Sequence, residues 1–171
     1  MSSIIGIDAS AKRVAVVHLS TGGTILDSLY FETIPDDPLA YAQRFEKVYD
    51  YLVVRATKRD ITGVFVEDAY MGVSRRGSVN HAKVIGNILA ACSSYALSDA
   101  ALPRTIMPAT WRSRCGIKGR GKEPIAVWAS EQWPKHKLHN QDLIDAACIA
   151  YAGGVILEEE RLEKLRILGA I

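Results

Sequence analysis

The chain is 171 residues long, 49% hydrophobic and 23% charged, with 21 Lys and Arg against 19 Asp and Glu. That length suits one domain with a substantial core, and no apolar run approaches the roughly 20 residues that a bilayer-crossing helix needs, so membrane-spanning and disordered readings are excluded. The opening Met-Ser-Ser-Ile-Ile-Gly-Ile-Asp has neither a basic start nor a cleavable apolar segment, which predicts a cytoplasmic or nucleoid location without an export signal.

Ile4, Ile5 and Ile7 form a short apolar run ending at Asp8. Arg13 to Ser20 is β-branched and apolar, Thr21-Gly22-Gly23 is a turn, and residues 24–33 alternate through Ile25, Leu26, Leu29 and Phe31. Three strands joined by short turns are predicted. After the breakers Pro35 and Pro38, Leu39, Phe45, Val48, Tyr49, Leu52, Val53 and Ala56 recur at three and four, the pattern of a helix with one buried face. Residues 61–66 read as a buried strand ending at Glu67-Asp68. Beyond a loop over residues 71–78, Ile85, Ile88, Leu89 and Cys92 mark a second helix, in which Gly86 and Ala90 are small enough for close packing with a partner.

Residues 104–107 form a further strand, and 110–120, with Trp111 and glycines at 116 and 119, read as a helical turn leading into a flexible basic loop. Helices follow at about 124–132 and 140–152. Residues 158–168 carry helical Glu-to-Arg and Glu-to-Lys spacing, so 155–171 is expected to be a helical tail that caps the fold or meets a partner. The order of elements predicts a single α/β domain over residues 1–171, a mixed sheet with helices on its faces.

Cys92, Cys115 and Cys148 are odd in number and far apart, with no C-x-x-C pairing, which disfavours zinc and a disulfide framework. The small net charge of +2 hides an uneven distribution: residues 101–140 hold eight Lys or Arg and two Glu, and Arg75, Arg76 and Lys83 stand in a stretch without acids. Either feature is a solvated face or a nucleic-acid surface.

Four acids sit where solubility alone explains them poorly. Asp8 ends what should be a central strand and Glu67 ends another, while Asp142 and Asp145 lie three apart on a helix that continues Ala-Ala-Cys-Ile-Ala. An i, i+3 spacing puts the last two on one face. Each alone could be a turn acceptor or helix cap, and Asn140 is itself a candidate cap beside Asp142. Four converging carboxylates would repel one another unless a cation sat among them. All-oxygen ligation suits Mg²⁺ or Mn²⁺, and two such ions suit hydrolytic phosphoryl transfer.

With Ile-Ile-Gly-Ile-Asp8, Val-Phe-Val-Glu67 and Asp142-Leu-Ile-Asp145-Ala-Ala-Cys-Ile-Ala in place, the chain resembles the RuvC-type Holliday junction resolvases over residues 4–153. The resemblance implies a ribonuclease H-like fold, a mixed five-stranded sheet flanked by helices. It also implies a homodimer that nicks four-way DNA junctions symmetrically in recombination and repair. By resemblance Asp8, Glu67, Asp142 and Asp145 hold two Mg²⁺ ions, Tyr70 takes the place of an aromatic that stacks on or wedges a base, and Lys122 (with Lys118 as the alternative) that of a lysine acting at the scissile phosphate. Arg75, Arg76, Lys83, Arg112, Lys118, Arg120 and Lys122 are the expected DNA contacts.

The chain departs from the family in Asp8-Ala9-Ser10, where Asp-Pro-Gly or Asp-x-Gly is frequent, and in the basic Arg75-Arg76-Gly77 after Glu67. These departures point to a divergent or viral member and bear on sequence preference and branch selectivity more than on hydrolysis. Two other readings stand beside this one: a ribonuclease H-like nuclease acting on RNA–DNA hybrid, branched DNA or ribosomal RNA ends, and a catalytically silent junction-binding protein. His139 is a candidate addition to the acid set, and Trp111, Trp128 and Trp133 read as packing residues.

Overall fold

The computed structural model describes residues 2–35, 37–56, 60–68, 75–95, 102–136 and 138–170, the side chains of Pro38, Arg55, Ala56, Arg75 and Arg76 excepted. Five strands, β1 (Ser3–Ala9), β2 (Arg13–Ser20), β3 (Ile25–Glu32), β4 (Ile61–Glu67) and β5 (Pro103–Ile106), form one sheet in the order β3-β2-β1-β4-β5. The first three are antiparallel neighbours, whereas β4 and β5 run parallel to β1. Among the described residues the α-helices are α1 (Pro38–Tyr51), α2 (Arg75–Tyr95), α3 (Pro108–Arg114), α4 (Glu123–Gln132) and α5 (Gln141–Ile167).

Alternation along the central strand sorts the two cores. Ile5, Ile7 and Ala9 face one way, into a cluster with Val48 and Leu52 at the end of α1 and Val84, Ile85 and Ile88 of α2. Ile4 faces the other way, with Phe65 of β4, into a cluster built by α3, α4 and α5. Ile5 and Ile7 are fully buried, each contributing about 1.5–3 kcal/mol through apolar burial.

Local sequence sets the ends of the helices. Asp37 caps α1 through Leu39 N–H with Pro38 in the first turn, and Asn140 caps α5 through Leu143 N–H at 2.8 Å. α3 ends in a Schellman motif: Gly116, at φ +71°, donates its N–H to Ser113, and Ile117 donates to Arg112.

Three expectations need correction. The second helix starts at Arg75, so the end of the expected 71–78 loop is helical; its first four residues, Arg-Arg-Gly-Ser, include no apolar side chain to start a helical period. The helix expected over 39–56 finishes as a π-helical turn, Leu52–Ala56. The tail is helical but no separate element, since α5 runs 27 residues without a break; its buried, alanine-rich face against the sheet ends and residues exposed to solvent follow. Among the described residues no helix is long and apolar enough to cross a membrane.

Candidate active site

Asp8 and Glu67 lie at the C-terminal ends of parallel neighbours whose last paired residues are Ile7 and Val66, so the two acids reach the same edge of the sheet. α5 brings the second pair. It crosses β1 so closely that a Cβ on Gly6 would stand 2.1 Å from the Ala146 carbonyl oxygen and 2.4 Å from the Ala150 nitrogen. Further along, a Cβ on Gly153 would meet the Phe65 ring at 2.3 Å, and one on Gly154 would meet Ile4 at 2.9 Å. The helix therefore runs antiparallel to β1 and β4. Asp8 lies two residues from Gly6 and Glu67 two from Phe65, so both project toward α5, whose first turns carry Asp142 and Asp145.

Burial raises Asp8 well above the usual carboxylate range, and the charges of Glu67, Asp145 and Asp142 push it further against the opposing pull of Arg13. Glu67 is raised to about 7, chiefly by burial, despite the hydrogen bond from Trp111. Burial likewise raises Asp145 to about 6, against the bond from Gln141 and with the Asp142 charge adding to the rise. The four acids thus form one electrostatically coupled group.

Three of them have a protein partner. Trp111 Nε1 donates to Glu67 at 2.9 Å, Gln141 Nε2 donates to Asp145 at 2.7 Å, and Arg13 stands 3.2 Å from Asp142. With these partners engaged, no group of three or more ligating side chains among the described residues is close enough to hold an ion. The donor chemistry nevertheless fits a hard cation: the oxygens belong to carboxylates alone, and buried Asp142 Oδ2 meets the Arg13 guanidinium at 3.2 Å without forming a hydrogen bond to it.

The partners carried weaker sequence signals. Gln141 precedes Asp145 by four, a helical neighbour that spacing could have identified. Arg13 opens the strand paired with the end of β1. Trp111, expected only to pack, is buried in the core and also uses its N–H, as a buried indole should.

Next to the acids lies the basic loop. Gly119 and Gly121 have φ of +98° and +89°, and Arg112 Nη2 donates to both of their carbonyls, at 3.1 and 3.0 Å. Lys118, Arg120 and Lys122 are exposed, and the positive charges of Lys122 and Arg112 oppose the upward shift of Asp145. Lys83 is exposed on α2. The backbones of Arg75 and Arg76 open that helix, whereas Tyr70 lies outside the described residues. His139 is exposed with its ring edge-on to Tyr30, centroids 6.5 Å apart, and among the described residues it joins no acid contact. Arg104 and Arg114, which contribute to the basic excess of the sequence, pair with Glu160 and Glu159 at 2.7 and 3.0 Å.

This architecture is the ribonuclease H-like fold, and in particular that of RuvC. The chain superposes on Thermus thermophilus RuvC in complex with a Holliday junction substrate with a TM-score of 0.76 at 15% identity, covering 93% of this chain and 96% of that one. A second Thermus thermophilus RuvC structure gives 0.73 at the same identity and coverage. The yeast mitochondrial Holliday junction resolvase Ydc2 gives 0.57 at 14% identity, over 98% of this chain and 84% of that one. No family model and no curated protein matches the sequence.

Proposed function

We propose that the chain is a structure-selective endonuclease that resolves four-way DNA junctions by metal-dependent phosphodiester hydrolysis, nicking two strands symmetrically as a homodimer. The observation that carries this reading is the crossing of α5 at Gly6, which puts Asp142 and Asp145 over the strand ends bearing Asp8 and Glu67. Burying four mutually repelling carboxylates is costly without a cation among them. The fold shared with the resolvases supports the substrate class.

Asp8, Glu67, Asp142 and Asp145 are the residues that would hold Mg²⁺ or Mn²⁺. When bound, two such ions would supply an activated water and stabilisation of the leaving oxygen. The chain itself orients the acids through Trp111, Gln141 and Arg13, and it presents Lys118, Arg120 and Lys122 beside them for the phosphate backbone. Lys83, exposed on α2, is a further proposed DNA contact, and Arg75 and Arg76 are proposed contacts on the sequence alone. Gly86 and Ala90, exposed on α2, offer the second copy a close-packing face.

The test is incubation with a labelled four-way junction beside linear duplex, a flap and an RNA–DNA hybrid, in Mg²⁺, Mn²⁺ or chelator. Paired symmetric nicks confined to the junction and abolished by chelator are expected. Glu67→Gln should lower cutting on the order of a thousandfold while junction binding persists, because a ligand charge is lost and the shape is kept. Cutting of the hybrid alone would replace the reading with another ribonuclease H-like nuclease; binding without cutting in any metal would leave a binding module.

A further inference from the structure

Arg112 differs from the other cations of the basic segment. It is half-buried, its guanidinium lies 5.8 Å from the Trp111 ring centre, and a single nitrogen donates both of its N–H groups inward to the carbonyls of Gly119 and Gly121. Its own backbone carbonyl accepts from Ile117 N–H, so the one residue holds the chain at three points between positions 117 and 121. The two glycines it grips have positive φ, a conformation costly for any other residue. The neighbouring residue on α3, Trp111, grips Glu67. Two consecutive residues of one short helix therefore hold an acid and the basic loop in a fixed relation.

We propose that Arg112 is the positioning residue of this loop: it acts through backbone carbonyls instead of DNA phosphates, and it sets where Lys118, Arg120 and Lys122 stand relative to the four acids. This is a different role from the DNA contact expected of Arg112 by sequence. Its consequence for cutting rests on the junction-resolving reading, whereas its consequence for the loop does not.

Trypsin provides a readout independent of activity, because Lys118, Arg120 and Lys122 are themselves cleavage sites. Cleavage at these three sites, identified by mass spectrometry, should be faster in Arg112→Gln by on the order of tenfold or more, since two hydrogen bonds from a charged donor keep the loop closed in the parent. Arg112→Lys, which keeps a charged donor, should recover part of the protection. Junction binding read across a salt series gives the second arm. Arg120→Gln should reduce the slope of log affinity against log salt by roughly one, as the loss of a phosphate contact does, while Arg112→Gln should leave the slope in place and reduce the cutting rate. An unchanged trypsin rate in Arg112→Gln, or a slope loss equal to that of Arg120→Gln with the loop still protected, would overturn the proposal. Should Arg112→Gln fail to fold, the same comparisons are read from Arg112→Lys. If the protein neither binds nor cuts a junction, the functional reading fails, and trypsin alone decides whether Arg112 holds the loop.

Discussion

The two halves of α5 treat their acids in opposite ways. In the tail, Glu158, Glu159, Glu160 and Glu163 are exposed and each meets an arginine. The bonds from Arg161 and Arg104 hold Glu158 and Glu160 below their usual range. In the first turns, Asp145 stands close to three other carboxylates, is pushed upward by burial, and has a neutral amide as its hydrogen-bond partner. An acid that serves solubility sits in water beside a guanidinium. An acid kept half-buried among like charges is destabilising unless an opposite charge stands among them.

The contrast depends on how close the helix lies to the sheet, so the substitution with the largest expected effect is Gly6→Ala. Its Cβ would overlap backbone atoms of Ala146 and Ala150, and neither can turn aside as the end of a flexible side chain could. Forcing α5 away should cost about 3 kcal/mol or more, at the upper end of the usual overpacking range, and should separate Asp142 and Asp145 from the strand acids. Urea unfolding followed by circular dichroism measures the loss. Stability equal to the parent's would mean that the helix can stand further off and that the crossing does not define the site.

Much of this was legible in the sequence, for identifiable reasons. Strands β1 to β4 announced themselves because their apolar runs are bounded by turns, and the four acids because they interrupt apolar runs at strand ends or within an alanine-rich helix. The continuity of α5 was hidden because its buried face ends where its charged stretch begins, and a change of surroundings reads like a boundary. The role of Arg112 was equally hidden. A basic residue in a basic segment carries no sign of whether it faces solvent or the carbonyls of its own loop, and only the folded chain distinguishes Arg112 from Arg120.

The comparison sharpens with pH. Glu67 and Asp145 are raised to about 7 and about 6 from ordinary values of 4.5 and 3.8. Between the ordinary and raised values the folded chain therefore holds more protons than the unfolded one, so these two groups make stability fall as pH rises from about 4 to about 7. Asp145→Asn keeps an acceptor for Gln141 and removes the charge. In chelator at pH 8 it should be more stable than the parent by about 1–2 kcal/mol, given that a tenfold change in proton affinity is worth roughly 1.4 kcal/mol. The difference should shrink at pH 5, where the parent carboxyl is largely protonated. Urea titrations at the two pH values decide the matter, and a variant less stable than the parent at pH 8 would make Asp145 a structural acceptor.

The smallest effect belongs to the tail. Arg104 binds Glu160 in bidentate fashion, at 2.7 and 3.0 Å, with its guanidinium 5.2 Å from the Phe65 ring centre, but both partners are nearly half exposed, at 44% and 45%. Water and salt screen such a pair, so Arg104→Met should cost less than about 1 kcal/mol, and the cost should shrink further in high salt. Methionine retains much of the apolar stem, so packing loss adds little. Junction affinity and its salt slope should stay as in the parent, because Glu160 already occupies the guanidinium that a phosphate would need. A slope reduced by about one would mean that Arg104 leaves its partner for the DNA backbone. The basic surface would then reach the edge of the sheet at β5, and the tail acids would be competitors for that surface instead of bystanders in solvent.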